Sequence, residues 1–318
     1  NNHIGLPLTL LRMNSKHQFC VLEVGCNHFG EIDYLNTIAE PDYGLVTNIG
    51  KEHLEFFKTE KGVAKAEFEL YDYLKKKREG VCFINLDDKF IRDYAKKLPV
   101  GKKSTYSYGY KSDITGKFIK FNSNFEPVIR VTKNGKSFEL KISTFGKHSI
   151  YNGLAAAAVG MYFGVPVPKI KKALGNFKQA SSKRMEILKR NGMIFINDTY
   201  NSNPNSVVMG LETVKDYSTK GNKYLVLSDM LELGAASKRE HSEIGKQVQK
   251  MKFENLYTYG KESFNTFKSA KGVKNNFYFD SKEDMAKMLK AVIRKGDIIY
   301  VKGSRGMQME DVLNSIIN

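Results

Sequence analysis

The sequence lacks a membrane-spanning run, a secretory signal and a disulfide framework. No apolar run in its 318 residues approaches the roughly 18 residues that cross a membrane, and no signal peptide opens the chain. Its three cysteines, Cys20, Cys26 and Cys82, are an odd number, and none forms a pair with metal-ligand spacing. Cys20 and Cys82 fall inside predicted strands. We therefore predict reduced, buried thiols in a cytoplasmic protein.

The sequence also has no phosphate-binding loop of the form Gly-x-x-x-x-Gly-Lys-Ser/Thr, no repeat of fixed period and no low-complexity tract. Its composition, 41% hydrophobic and 27% charged, is typical of a soluble globular protein. The length allows two domains, each with its own core.

Acidic residues are outnumbered, and the net charge is +17. Strong positive charge is one mark of nucleic-acid-binding proteins. Here the cations are scattered over predicted helical faces and turns, as at residues 75–78, where a helix ends and cations favour the helix dipole and solubility. An anionic small substrate explains part of the excess equally well. We therefore predict no nucleic-acid partner.

Strands and helices alternate in the first half of the chain. Apolar runs predict strands at residues 19–25, 43–49 and 81–85, with helices at 30–39 and 59–77. Residues 104–142 instead alternate polar and apolar side chains, and within them residues 128–140 have the pattern of a hairpin whose turn is Asn134-Gly135. The pattern predicts an α/β domain with a mostly parallel sheet and an antiparallel appendage.

The alternation restarts in the second half. Helices are predicted at residues 149–163 and 168–175, and the polar stretch 176–182 is the predicted domain joint. The strands predicted beyond it are at residues 193–197, 224–228, 255–259, 275–279 and 297–302. We predict a central domain at residues 1–178 and a Rossmann-like, doubly wound domain at residues 179–318.

Glu23 is the only charged residue in the apolar run at residues 19–25. A charge in a buried strand is costly unless it has a partner. His53 follows the next predicted strand, and the carboxyl ends of parallel strands meet at one edge of a sheet, where ligands bind. Glu23 and His53 could therefore converge on a cation or a phosphate.

Glu67 lies on the inward face of the helix predicted at residues 59–77. The apolar residues that define this face are Val63, Leu70 and Leu74. A carboxylate there needs a cation, a hydrogen-bond donor or a raised pKa, unless it extends from the edge of the face into solvent. We predict that Glu23, His53 and Glu67 together bind Mg²⁺ or Mn²⁺.

Polar loops follow three predicted strands of the second domain. Asp198 ends one strand and precedes a loop rich in amide side chains. An Asp in that place commonly accepts a ribose hydroxyl, although a hydrogen-bonded turn explains the pattern equally well. Asp229 ends a second strand, and Lys302-Gly303-Ser304 ends a third, where Lys302 and free N–H groups could hold an anion. Three such loops at one sheet edge predict a ligand site.

These segments resemble the Mur ligase family over nearly the whole chain. The resemblance is carried by Asn2-x-x-Gly-x-Pro7, Leu-Glu-Val-Gly at residues 22–25, Thr-Asn-Ile-Gly-x-x-His-Leu-Glu at 47–55, Gly146-x-His148-x-x-x-Asn152, Asp-x-Tyr-Asn-x-Asn-Pro at 198–204, Ser-Asp-Met-Leu-Glu-Leu-Gly at 228–234 and Lys302-Gly303-Ser304. The motifs at 200–204 and 229–234 point to the member that adds D-alanyl-D-alanine to UDP-N-acetylmuramoyl-tripeptide.

The resemblance implies an ATP-dependent amide ligase of peptidoglycan precursor synthesis. The tripeptide carboxylate would take the γ-phosphoryl group of ATP, and the amine of D-alanyl-D-alanine would then displace phosphate from the acyl phosphate. The implied cofactors are ATP and Mg²⁺, and the implied partners are the two substrates. The expected protein is a cytoplasmic monomer.

The resemblance also implies roles for individual residues. It assigns metal binding and catalysis to Glu23, His53 and Glu67. It places nucleotide contacts at His148, Asn152, Arg184, Asp198 and Asn201. It places contacts with the incoming dipeptide at Asn203, Asp229, Lys302 and Ser304. The residues alone leave one alternative open here, since His148 also fits a helix cap or a core histidine.

The sequence departs from the family in two ways. Many members carry a carbamylated lysine fourteen residues after the metal-binding histidine, and here Glu67 occupies that position relative to His53. A Glu supplies a similar charge on a shorter arm, so we predict activity that does not depend on bicarbonate. The N-terminal uridine-binding domain and the phosphate loop of the family have no counterpart here. We therefore expect the chain to be part of a longer enzyme and to turn over no ATP alone.

Two other functions fit parts of the sequence. A different Mur-type ligase, similar to folylpolyglutamate synthetase, would share most motifs, although residues 228–234 argue against it. A binding module without catalysis would explain the missing phosphate loop.

Overall fold

The computed structural model describes residues 2–122, 124–178 and 183–317, and of His148 it describes only the backbone. The chain divides into two compact units. One comprises Asn1–Ile119, Ile129–Leu140 and Tyr151–Ala173, and the other comprises Lys120–Val128, Lys141–Ile150 and Leu174–Asn318. The predicted domain border, between residues 178 and 179, adjoins residues 179–182, which lie outside the described residues. The border and the predicted joint at residues 176–182 therefore stay predictions.

The first sheet has six strands in the order β1-β2-β3-β4-β5-β6. The strands are β1 (Tyr43–Leu45), β2 (Val81–Asn85), β3 (Lys103–Ser107), β4 (Ile114–Phe121), β5 (Pro127–Lys133) and β6 (Lys136–Lys141). β2 pairs in parallel with β1 and β3, and all five of its residues are buried, as expected of a parallel strand covered on both faces. Asn134 and Gly135 join β5 to β6 with φ of 50° and 75°, which confirms the predicted hairpin.

Eight helices accompany this sheet within the described residues. They are α1 (Gly5–Leu10), α2 (Glu31–Ala39), α3 (Leu54–Phe57), α4 (Glu60–Glu67), α5 (Glu69–Lys76), α6 (Lys89–Ala95), α7 (His148–Tyr162) and α8 (Val167–Gly175). The helix predicted at residues 59–77 forms as α4 and α5, which meet at Phe68. Thr59 caps α4 by accepting the N–H of Gly62 at 3.1 Å. A side chain at Gly62 would meet the carbonyl oxygen of Phe57, so only glycine fits there.

The strand predicted at residues 19–25 does not form. These residues, all of them described, belong to neither sheet, and Phe19 and Val21 are 67% and 93% exposed. Cys20 is exposed as well, which corrects the prediction of a buried thiol. An apolar run becomes a buried strand only where a neighbouring strand pairs with it, and its periodicity does not reveal that neighbour. The strand predicted at 43–49 is also shorter, since β1 ends at residue 45.

The second sheet has six strands in the order β11-β10-β9-β12-β8-β7. The strands are β7 (Glu186–Arg190), β8 (Met193–Asp198), β9 (Lys223–Ser228), β10 (Asn255–Tyr259), β11 (Asn275–Phe279) and β12 (Ile298–Lys302). All neighbours pair in parallel except β7 and β8, which form an antiparallel hairpin. The sequence pattern missed β7. The other five strands confirm the predicted α/β fold with its second, doubly wound domain.

Five helices cover this sheet in the part of the chain that the structure describes. They are α9 (Pro204–Asp216), α10 (Ser237–Lys250), α11 (Ser263–Ser269), α12 (Lys282–Val292) and α13 (Glu310–Ile317). Phe195, Val226 and Ile299 are fully buried in the core, together with Leu289 of α12 and Leu313 of α13. None of the described helices, in either unit, has the length and hydropathy that crossing a bilayer requires.

Candidate functional site

β12, the last strand of the chain, is inserted between β8 and β9. The chain leaves β8 and β9 toward α9 and α10, which pack together, but it leaves β12 toward α13, which packs with α12. Adjacent strands whose following segments leave in different directions border a crevice, and ligands bind there in open parallel sheets. Asp198, Asp229 and Lys302 end or directly follow these three strands. The structure therefore brings these predicted residues to one sheet edge.

The carboxylate of Asp198 is occupied by protein groups. Its Oδ2 accepts hydrogen bonds from Lys302 Nζ at 2.7 Å and from the hydroxyl of Tyr300 at 3.0 Å, and its Oδ1 accepts the N–H of Met185 at 3.2 Å. Lys302 Nζ also donates to the carbonyl of Asn201 at 2.9 Å. Burial, with Asp198 beside it, raises the pKa of Tyr300 well above its usual value, so its hydroxyl stays a donor. The roles predicted for Asp198 and Lys302 as separate ligand contacts thus stay predictions, and in the structure the two residues pair with each other.

Asp229 and Ser304 connect the loops that follow β9 and β12. Ser304 donates its N–H to the carbonyl oxygen of Asp229 at 3.2 Å. The carboxylate of Asp229 accepts the N–H groups of Ser263 at 2.7 Å and Glu262 at 3.2 Å, at the start of α11. Gly260 permits this approach, because its φ is +107° and a Cβ would lie 2.5 Å from Asp229 Oδ1. Asp229 therefore has a structural role whether or not it contacts substrate.

Two predicted ligand contacts in the loop after β8, Asn201 and Asn203, form local hydrogen bonds. Asn201 accepts the N–H of Ser202 at 2.7 Å, and its side chain is exposed. Asn203 is the N-cap of α9, where it accepts the N–H of Ser206 at 2.8 Å and Pro204 begins the helix. The sequence pattern around Asn203 is thus explained by helix capping, and a contact with the dipeptide stays a prediction.

The guanidinium of Arg184 is exposed and lies 4.1 Å from the centre of the Tyr200 ring. The residues on either side, Lys183 and Met185, have φ of 70° and 49°. This left-handed backbone costs energy for residues with side chains. It persists here because the Met185 N–H is bonded to Asp198 and because the Lys183 carbonyl accepts the N–H of Tyr200. The predicted contact between Arg184 and the nucleotide stays a prediction.

The structure does not bring Glu23, His53 and Glu67 together as a metal site. Among the described residues, which include all three, no group of three or more His, Cys, Asp or Glu side chains has an arrangement that could hold a metal ion. Glu23 lies in the segment 19–25 that joins no sheet, so no strand directs its carboxylate toward His53. Their role as Mg²⁺ ligands stays a prediction.

Glu67 nevertheless lies in a strongly acidic environment. Burial, together with the charges of Glu52 and Glu69, raises the pKa of Glu67 to about 7. Burial also raises the pKa of Glu52. Glu69 accepts the N–H groups of Gly30 at 2.7 Å and Asp33 at 3.0 Å, at the start of α2. Sequence reasoning missed Glu52 and Glu69, although Glu52 lies inside the motif at residues 47–55.

The other two predicted nucleotide contacts are on α7. The side chain of His148 lies outside the described residues. Asn152 is exposed one turn later, so its amide is accessible to a ligand. Both roles stay predictions.

Comparison with known proteins agrees with this architecture. Residues 1–160 match the family model described as Mur ligase middle domain, and residues 183–305 match the model described as Mur ligase, glutamate ligase domain. The chain belongs to the Mur ligase family, which confirms the resemblance seen in its motifs.

The relatives of known function indicate one branch of this family. The UDP-N-acetylmuramoyl-tripeptide--D-alanyl-D-alanine ligase of Bacillus subtilis is 33% identical over 324 residues, which are 100% of this chain and 68% of the relative. The enzyme of the same name from Escherichia coli is 30% identical over 328 residues, 99% of this chain and 69% of the relative. The chain therefore spans about two thirds of the length of these relatives.

Solved structures extend the likeness to three dimensions. MurF from Acinetobacter baumannii superimposes with a TM-score of 0.87 at 25% identity, covering 100% of this chain and 68% of that one. MurF ligase from Thermotoga maritima, solved in complex with ADP, gives a TM-score of 0.83 at 25% identity, covering 99% of this chain and 71% of that one.

Proposed function

We propose that the chain provides the middle and C-terminal domains of an ATP-dependent ligase that joins D-alanyl-D-alanine to UDP-N-acetylmuramoyl-tripeptide in peptidoglycan precursor synthesis. The observation that carries the proposal is the 33% identity to an enzyme of that name through 100% of this chain. The polar residues at the ends of β8, β9 and β12 support it, because the carboxyl edge of a parallel sheet is where an α/β domain binds its ligands.

The proposed reaction has two steps. An oxygen of the tripeptide carboxylate bonds to the γ-phosphorus of ATP, and ADP leaves. The amine of D-alanyl-D-alanine then attacks the acyl carbon, an amide bond forms, phosphate leaves and the amine loses a proton. Both steps create negative charge near the reacting atoms, so placed cations and N–H donors are what the protein must supply.

We propose that Arg184 supplies a positive charge to the nucleotide and that Asn152 and Asn201 are further nucleotide contacts, because all three side chains are exposed. His148 and Asp198 remain predicted nucleotide contacts. Asn203, Asp229, Lys302 and Ser304 remain the predicted surroundings of the dipeptide. Of these, Lys302 supplies a positive charge whose position is set by the bond to Asp198.

Mg²⁺ is proposed as a second cofactor, with Glu23, His53 and Glu67 as its predicted ligands. Since the described residues form no metal-binding cluster, no step of the reaction is assigned to the ion. We also propose a cytoplasmic monomer, with domains at residues 1–178 and 179–318.

A panel of amine substrates tests the proposed function. The complete protein is incubated with ATP, UDP-N-acetylmuramoyl-tripeptide and one of D-alanyl-D-alanine, L-alanyl-L-alanine, D-alanine or glutamate, and phosphate release and product mass are measured. Glutamate is the informative competitor because the model that matches residues 183–305 is described as a glutamate ligase domain. We expect one phosphate per amide bond with D-alanyl-D-alanine alone. Efficient product formation with glutamate, or none with D-alanyl-D-alanine, would overturn the proposal.

Hydroxylamine tests the intermediate. It is a small, strong nucleophile that converts an acyl phosphate into a hydroxamate. We expect a hydroxamate of the tripeptide when ATP is present and the dipeptide is left out. If the enzyme forms the amide but never the hydroxamate, the two-step route is wrong even though the overall reaction stands.

A further inference from the structure

His241 is a buried histidine of α10 that no motif of the sequence singled out. Its residue is 1% exposed. Its Nε2 accepts the N–H of Met230 at 3.0 Å, and its Nδ1 lies 2.9 Å from the carbonyl oxygen of Ser237. An imidazole that accepts at Nε2 and donates at Nδ1 is neutral, with its hydrogen on Nδ1. Burial lowers the pKa of His241, which agrees with the neutral form.

The segment that His241 contacts is the loop after β9, defined here as residues 229–231. Each of its three residues is held by a different element. The Asp229 carboxylate accepts N–H groups at the start of α11, the Met230 N–H donates to His241 on α10, and the Leu231 N–H donates to Ser304 Oγ at 2.8 Å, after β12. Hydrogen bonds to three different elements therefore restrict the backbone position of this loop.

The loop lies at the sheet edge where β9 and β12 end. Met230 is 3% exposed, so without His241 its N–H would be buried and unsatisfied. Leu231, the next residue of the loop, is 43% exposed. If His241 no longer accepts the Met230 N–H, the loop must shift before that N–H can find another partner. Small shifts at a binding site weaken binding.

We propose that His241 is a positioning residue for the incoming dipeptide: by accepting the Met230 N–H, it fixes the loop at residues 229–231 as the wall of the dipeptide site. The inference rests on the proposed function. His241 touches no substrate and acts through Met230 and Leu231. Within the described residues, neither Arg184 nor Asn152, two of the assigned nucleotide contacts, forms a hydrogen bond with this loop.

Two substitutions separate this role from simple packing. His241→Asn keeps a donor that can reach Ser237 but loses the acceptor for Met230, whereas His241→Gln places an amide oxygen at about the reach of Nε2. In the complete protein we expect His241→Asn to raise KM for D-alanyl-D-alanine about tenfold, as the loss of one buried hydrogen bond does. We expect KM for ATP to stay within about twofold, and His241→Gln to restore most of the affinity for the dipeptide.

Thr266→Val is the matched control. Thr266 Oγ1 donates to the carbonyl oxygen of His241 at 3.0 Å, so this nearly isosteric change removes a buried hydrogen bond between α10 and α11 without touching the loop. It should lower the unfolding temperature and leave both KM values unchanged. If Thr266→Val raises KM for the dipeptide as His241→Asn does, or if His241→Asn raises both KM values equally, His241 has only a structural role.

Hydrogen exchange at the Met230 amide gives a readout that does not need activity. The amide should exchange at least about tenfold faster in His241→Asn than in His241→Gln. If the wild-type protein does not use D-alanyl-D-alanine but the amide responds in this way, the proposed function is at fault and the support of the loop stands. If the wild-type protein is active and neither KM nor exchange responds, the role of His241 is refuted.

Discussion

Lys302 Nζ donates to Asp198 Oδ2 at 2.7 Å, and the two residues are only 2% and 7% exposed. The pair joins the ends of β12 and β8, and Tyr300 donates to the same carboxylate oxygen. Buried ion pairs contribute little net stability, because desolvation offsets their attraction, but removing one partner leaves an uncompensated buried charge. Replacing one member of the pair should therefore lower the free energy of unfolding more than replacing both members.

Lys302→Met should lower the free energy of unfolding by about 3–5 kcal/mol, because the carboxylate of Asp198 stays buried without its cation. Adding Asp198→Asn should recover part of this loss. Urea unfolding of the single and the double variant measures the effect. Lys282→Met is the control, because Lys282 pairs with the more exposed Asp311 at 2.7 Å, and it should cost less than about 1 kcal/mol. Equal losses for Lys302→Met and Lys282→Met would contradict the description of a buried pair.

Arg184→Ala should lower kcat/KM for ATP by roughly tenfold to a hundredfold, as expected when a charge-assisted hydrogen bond is lost. Arg190→Ala is the matched control, since Arg190 is also exposed and bonds only to the carbonyl of its neighbour Lys189 within the described contacts. It should leave the kinetics unchanged. Steady-state rates at varied ATP measure both variants, and equal effects would mean that general positive charge, rather than the position of Arg184, governs nucleotide binding.

Glu67 should make the protein less stable as pH rises. Its folded pKa of about 7 lies above the ordinary value of 4.5, so the unfolded chain loses this proton first. The stability contribution is full below about pH 4.5 and is lost between pH 4.5 and 7. Glu67→Gln should match wild type at acid pH and exceed its free energy of unfolding by up to about 3 kcal/mol at pH 8.5. Glu55→Gln, at an exposed position of α3, is the control.

The same unfolding experiment also tests whether Glu67 binds Mg²⁺. If Glu67 is a metal ligand as predicted, millimolar Mg²⁺ should favour the ionised carboxylate and reduce the advantage of Glu67→Gln at pH 8.5. Unfolding curves with Mg²⁺ and with a chelator measure this. An advantage that is unchanged by Mg²⁺ would remove Glu67 from the predicted metal site while leaving its raised pKa intact.

Activity should not depend on bicarbonate, because Glu67 carries its carboxylate without modification. The complete enzyme should keep its rate in buffer depleted of carbon dioxide. Glu67→Lys should lose activity there and regain part of it when bicarbonate is added, since a lysine in this place can form a carbamate. A strong bicarbonate requirement of the wild-type enzyme would mean that another residue supplies the carbamate.

The elements that sequence predicted well are those whose signals are local. β2 is a continuous apolar run, and the hairpin of β5 and β6 carries Asn134-Gly135, whose positive φ values the turn requires. Residues 19–25 have the same apolar character as β2 and form no strand. The difference lies in the neighbours, since β2 pairs with β1 and β3 on its two sides.

The candidate site also has features that local sequence signals predict and features that depend on distant neighbours. Strand ends identified Asp198, Asp229 and Lys302 correctly as a group at one edge, because in a parallel sheet every strand that runs the same way ends at the same edge. The pattern did not reveal that Lys302 bonds to Asp198 or that Asp229 caps α11. His241 was missed altogether, since one histidine in an amphipathic helix has no motif that distinguishes it from a core residue.

The amino-acid sequence by itself determined the family, the hairpin of β5 and β6, five of the six strands of the second sheet, and the edge of that sheet where polar residues gather. These depend on periodicity, turn residues and short motifs, which act over a few positions of the chain. Only the tertiary structure decided which polar groups bond to one another, including His241 with Met230 and Lys302 with Asp198. Those bonds depend on β12 lying between β8 and β9, a relationship between distant segments that no local pattern encodes.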